Sequence, residues 1–224
     1  MSSTTFPDRR GFLVRLAGLI ILLFVVNSAA GLFSLRLASQ RYAKDMQTLN
    51  QLMETSDNAR QAQVHFKNQV QEWKNVLLRG ADPGDLAHYA TAMRGEAAGM
   101  REKLNLAREG MEELRLPEAG LVAPLLAEHD LILRAYEEQL DLWGEDLASQ
   151  AGDVDHELRG IDRKLNVSLD DLVSDLLIRA AALRLELSRE FMAQDATTTR
   201  VLVIGAAATT ILLLIMLGLA VRRG

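Results

Sequence analysis

QAQVHFKNQVQEWKNVLLRG, residues 61–80, is the stretch on which the fold turns. Its apolar residues Ala62, Phe66, Val70, Trp73 and Leu77 recur three or four positions apart, the spacing of one helix face, whereas a half-buried strand would alternate. Upstream the stripe continues through Ala59 and Leu52. Downstream, Gly80-Ala81-Asp82-Pro83-Gly84 signals a turn, and a second stripe follows through Leu86, Met93, Ala97, Met100, Leu104, Ala107, Met111 and Leu114. Beyond the break at Pro117-Glu118-Ala119-Gly120, with Pro124 close by, a third runs through Val122, Leu126, His129, Leu133, Tyr136, Leu140 and Leu147. After Gln150-Ala151-Gly152-Asp153 the fourth comprises Leu158, Ile161, Leu165, Leu169, Leu172, Leu176, Leu183 and Leu187.

Proline is confined to positions 7, 83, 117 and 124, so nothing interrupts a helix between Gly11 and Asp82 or from Leu125 onward. The segments fall at about 36–79, 85–115, 121–149 and 155–200, the outer two about half again as long as the inner two. The expectation is an all-α, antiparallel up-down-up-down four-helix bundle, with Trp73 and Trp143 as aromatic anchors in a core of Leu, Met and Ala.

Two further stretches carry no charge: residues 16–35, centred on Leu19-Ile20-Ile21-Leu22-Leu23-Phe24-Val25-Val26, and residues 201–221, including Ile211-Leu212-Leu213-Leu214-Ile215-Met216-Leu217. Twenty helical residues span ~30 Å, one bilayer core. Residues 36–200 carry net charge −9 and the two ends +4, and Arg9, Arg10, Arg15, Arg222 and Arg223 flank only the outer ends of the apolar stretches. By the positive-inside rule both termini are cytoplasmic and the middle is exported. The expected organisation is a cytoplasmic tail (1–15), a first span (16–35), an exported bundle (36–200), a second span (201–221) and a cytoplasmic stub (222–224), the spans continuous with the first and fourth bundle helices. Ser28-Ala29-Ala30 also offers the small residues a signal peptidase takes, and a cut there leaves the second span as the anchor.

The stretch 61–80, above all QVQEWKNVLLRG, resembles the end of the first periplasmic helix in bacterial methyl-accepting chemotaxis receptors, and Leu158-Arg159-Gly160-Ile161-Asp162-Arg163 resembles the start of their fourth. With the two spans, the resemblance covers nearly the whole chain. It implies a dimeric sensor in the bacterial inner membrane whose last helix shifts when ligand binds. Such receptors continue after the second span into a HAMP linker and an output domain, whereas this sequence ends at Arg222-Arg223-Gly224. A receptor fragment, or a sensor that signals through a partner receptor or output chain, is therefore expected.

Arg60, Lys67 and Lys74 recur every seven residues along the first helix, and Arg79, Arg159 and Arg163 fall near the same membrane-distal end of an antiparallel bundle. In a domain of negative net charge, these six cations are the candidate ligand-binding residues for a carboxylate or phosphate. The alternative is that they pair with Asp170, Asp171 and Asp175. His65, His88, His129 and His156 lie on separate segments with no i, i+4 pair, so no metal site and no cofactor is expected, and His129 reads as a core or boundary residue. The absence of cysteine excludes disulfide frameworks and thiol chemistry. No phosphate loop, GxSxG or convergent carboxylate pair occurs, so no enzyme is expected.

Two functions remain: a sensor for a small anionic solute or a ligand-loaded binding protein, and a structural or interaction subunit of a membrane receptor complex that binds no solute. A parallel homodimer through the first helix is expected, Ser56, Ala59 and Ala62 allowing close approach of a partner; the alternative is that these small residues face the second helix of the same chain.

Overall fold

The computed structural model describes the backbone of residues 9–222, with side chains at all of these except 9, 10, 12, 13, 16, 23, 145, 194–199, 201, 202, 213, 216, 217 and 219–222. Its regular structure is all-helical: α1 Arg9–Arg79, α2 Pro83–Glu113, α3 Ala119–Trp143, a 3-10 turn Gly144–Gln150, α4 Ala151–Glu157 and α5 Arg163–Arg222. The chain divides into two units, one of residues 47–184 and one of residues 1–46 with 185–224.

In the unit of residues 47–184, most residues of the expected stripes are buried, but on α3 the buried positions include Leu125, Ile132 and Gln139, while the expected Leu126, Leu133 and Leu140 are only partly so. Met93, Met100, Leu104, Ala107 and Met111 of α2 are wholly buried, as are Ala59 and Ala62 of α1. With Phe66 and Trp73 of α1, Val122 and Tyr136 of α3, and Leu165, Leu169 and Leu176 of α5, they form one cluster. Each fully buried Leu or Met contributes about 1.5–3 kcal/mol. Contacts between neighbours run in opposed numerical order: on α2 and α3, Arg94 pairs with Glu137 and Arg101 with Asp130. Likewise Lys164 of α5 meets Glu128 of α3, and Arg179 of α5 meets Glu118 just before α3. An advance along one helix goes with a retreat along the other, the relation of antiparallel neighbours.

The first turn forms where expected. Asp82, in extended conformation, accepts hydrogen bonds from the backbone N–H of Gly84 (2.8 Å) and Asp85 (3.1 Å), with Pro83 opening the helix. At the second turn Arg115 adopts φ 56°, and Leu116 N–H bonds back to Met111 O at 2.8 Å. Pro124 lies within α3, near its start.

The third break is elsewhere than the sequence suggests. Gln150-Ala151-Gly152-Asp153 runs into helix α4, while the chain turns at Gly144 (φ 49°) and again around Gly160 (φ 82°). Positive φ is where a Cβ is penalised, so these two glycines, and not Gly152, take the bends. The third helix therefore ends at Trp143 rather than near 149, and the last begins at Arg163 rather than near 155.

A second correction concerns the small residues of α1. Ser56, Ala59 and Ala62 are buried within this chain's own core, and the space a Cβ would need at Gly110 of α2 is already taken by Thr55. Close approach at this level is between α1 and α2, and these residues are not available to a second copy.

In the other unit, α1 is apolar from Ala17 to Leu35 and most of its described side chains there are exposed, Ile20 being buried, and it is the one helix among the described residues long and apolar enough to cross a membrane. In the expected second span, the side chains at 201, 202, 213, 216, 217 and 219–221 lie outside the described residues, and the described apolar run is Val203–Leu212. Asn27 of α1 lies directly against Gly205 of α5, where a Cβ would displace its amide.

Candidate functional site

The six cations named from the sequence do not form one cluster. Arg60, Lys67 and Lys74 share the exposed face of α1 as their spacing predicts. Arg60 donates to Asp57 on its own helix at 2.7 Å, which with Gln61 holds the Asp57 carboxyl below its usual range. Lys67 reaches across to Asp170 of α5 at 3.1 Å, beside Gln63, which bonds the same carboxylate. Arg79 donates to the Tyr89 hydroxyl at 2.9 Å and lies 5.7 Å from the ring centre. Arg159 meets Asp155 at 3.3 Å. The Arg163 guanidinium lies against Gly160, and Lys74 is exposed beside buried Trp73; neither makes an ion pair among the described residues. Half of the candidate anion donors thus already hold a carboxylate of their own chain, Lys67 the expected Asp170.

The densest polar chemistry lies deeper, between α1 and α3. His129 Nε2 donates to Gln69 Oε1 at 2.7 Å, and both residues are fully buried. Gln69 Nε2 and His129 Nδ1 have no hydrogen-bond partner. Asp130 Oδ1 stands 4.0 Å from His129 Nδ1 but is engaged by Arg101 of α2. Burial first, and the Arg101 charge second, lower the imidazole to about 4, so the ring is neutral at neutral pH. The Phe66 ring lies edge-on to it at 6.1 Å. About two turns further along, Trp73 stacks on Tyr136 with centroids 4.5 Å apart and planes 11° from parallel, and burial pushes the Tyr136 phenol above its ordinary range.

Of these residues His129 was legible as a core histidine; Gln69 was missed. Its signal was present: Gln69 follows Phe66 by three and precedes Trp73 by four, so an amide stands in the apolar stripe. His65, which bonds Glu96 of α2 at 2.6 Å over Gly99, carried no such signal because its partner lies 31 residues away.

A groove of about 180 Å³ between α1 and α2 is lined by Glu54, Glu109 and Glu113 with Gln51, Thr55 and Asn58. Three carboxylates make it unsuited to an anion. Among the described residues no group of three or more His, Asp or Glu is placed to hold a metal ion. No family model, no curated protein and no solved structure matches the chain.

Proposed function

We propose that this chain is the sensing unit of a membrane signal transducer: a four-helix bundle exported across the bacterial inner membrane, anchored by two spans, that binds a small anionic solute or a ligand-loaded binding protein and relays it by displacement of α5. The observation that carries the reading is the continuity of α1 and α5. Each supplies buried residues to the core of residues 47–184 and runs on without a break into apolar, exposed sequence. A helix that belongs to both environments transmits a change in core packing as movement along its own axis, since helices are stiff and packed cores shift between discrete arrangements. The Asn27–Gly205 approach supports α1 and α5 crossing side by side. The donors for an anion are Lys74, Arg79 and Arg163, the cations not committed to a carboxylate, with Arg60, Lys67 and Arg159 available through exchange of their partners.

The test is calorimetric titration of the full chain in lipid nanodiscs with a pool of organic acids. One acid binds saturably, and Lys74→Gln weakens it at least tenfold, the loss of one charge-assisted hydrogen bond of about 1.5 kcal/mol or more. The variant melts as the parent does, because an exposed charge contributes about 0–1 kcal/mol of stability. Absence of any binding acid removes the solute-sensor reading. The second reading, a subunit that docks beside a full-length receptor and binds no solute, is favoured by the pairing of Arg60, Lys67 and Arg159 with the chain's own carboxylates.

A further inference from the structure

A groove of about 760 Å³ lies between α1 residues Ser34 to Asp45 and α5 residues Leu187 to Ala193, all within the unit that carries the apolar stretches. Its lining includes nearly buried Leu187, and Tyr42 and Phe191 face one another with ring centres 5.6 Å apart. The charged lining is balanced: Arg41 and Lys44 against Asp45 and Glu190. Arg41 is exposed and makes no ion pair among the described residues, although Asp45 follows one turn later.

The position of the groove along α1 narrows what it can hold. It opens where the uncharged run ends at Leu35. The headgroup layer extends roughly 5–8 Å beyond the hydrocarbon, and Arg41, six residues past Leu35, lies ~9 Å along the helix axis. Helical side chains lean toward the N-terminus, which for α1 is back toward the apolar run, so the guanidinium returns to headgroup level. Tyrosine favours the same layer.

We propose that this groove holds the headgroup of one aminophospholipid, phosphatidylethanolamine, from the bilayer that α1 enters, with the phosphate on Arg41 and the ammonium facing Glu190 and Asp45. Equal numbers of cations and carboxylates suit a zwitterion and give a purely anionic lipid no net attraction. The inference rests on the membrane part of the function proposed above, and not on the sensing of any solute.

The test is native mass spectrometry of the detergent-purified full chain titrated with phosphatidylethanolamine, with phosphatidylglycerol, and with water-soluble glycerophosphoethanolamine. One phosphatidylethanolamine is retained per chain, in preference to the other two. Arg41→Gln weakens retention about tenfold, Arg41→Lys weakens it less, and Glu190→Gln erodes the preference over phosphatidylglycerol. Arg134→Gln, an exposed cation of α3, changes nothing. Equal retention by Arg41→Gln and the parent, or equal retention of both lipids by the parent, overturns the proposal. Tight binding of glycerophosphoethanolamine overturns the bilayer as the source. Alkaline carbonate extraction of cell membranes separates the two failures: release of the chain removes the membrane reading itself, whereas a chain that stays while Arg41→Gln retains lipid fully removes only the groove.

Discussion

The imidazole of His129 on α3 and the amide of Gln69 on α1 meet at 2.7 Å inside the core, each with a second polar atom left unpartnered. Burying such groups costs free energy that a hydrocarbon pair in the same space would not. In exchange the contact permits few alternatives: sliding α1 against α3 by one turn would leave all four atoms without partners. A lone polar contact in an apolar seam restricts register in this way.

Acid should weaken the fold through this residue. The unfolded histidine takes its proton below its ordinary 6.5, the folded one only near 4, so its contribution is complete above pH 6.5 and is lost as pH falls toward 4. The full loss is about 3 kcal/mol. Denaturant melts at pH 8 and pH 4.5 should show His129→Leu less stable than the parent at pH 8, because Gln69 loses its partner, yet less sensitive to acid. An identical pH slope in both would show that His129 does not titrate as its burial requires.

Gly110→Ala should destabilise by about 1–3 kcal/mol, since its methyl group would enter space held by Thr55 on α1. Thr55→Ala in the same chain removes the hydroxyl from that space and should recover much of the loss. Thermal melts of the two single variants and the double variant measure the coupling. Simple additivity would place α1 and α2 further apart than the structure has them.

Orientation is checked with reporter fusions. A fusion after Gly120 should be active only when the reporter is exported, and one after Arg222 only in the cytoplasm, because arginines flank the outer ends of the apolar stretches. The reverse pattern would discard the exported bundle. Inserting two arginines after Leu35 while replacing Arg9, Arg10 and Arg15 should weaken or invert the orientation.

The homodimer expected from the sequence requires a face other than the one the small residues suggested. Val64 of α1 and Val167 and Ile178 of α5 are apolar and 46–64% exposed, whereas Ala59 is wholly buried. In a chain without native cysteine, Val64→Cys and Ile178→Cys should each give an oxidised dimer and Ala59→Cys none. A monomer at both exposed positions would remove the homodimer.

By itself the sequence determined the helical class, most of the core stripes and the first turn, because 3.6-residue periodicity, proline and an Asp-Pro cap are local physics that nearby residues settle. Met93, Met100, Leu104 and Met111 were named as a stripe and are wholly buried. Only the tertiary structure decided that Gly144 and Gly160 rather than Gly152 bend the chain, since three glycines with equal freedom differ only in what the packed helices on either side demand. The same holds for Ser56, Ala59 and Ala62. Small residues announce a close approach but not its partner, and it was the position of α2, with Gly110 against Thr55, that turned them inward. The cations show the limit most clearly. Their sevenfold spacing placed Arg60, Lys67 and Lys74 on one face, but charge state and spacing say nothing of which carboxylate arrives from 103 residues away, and Asp170 reaches Lys67 only because α5 packs beside α1.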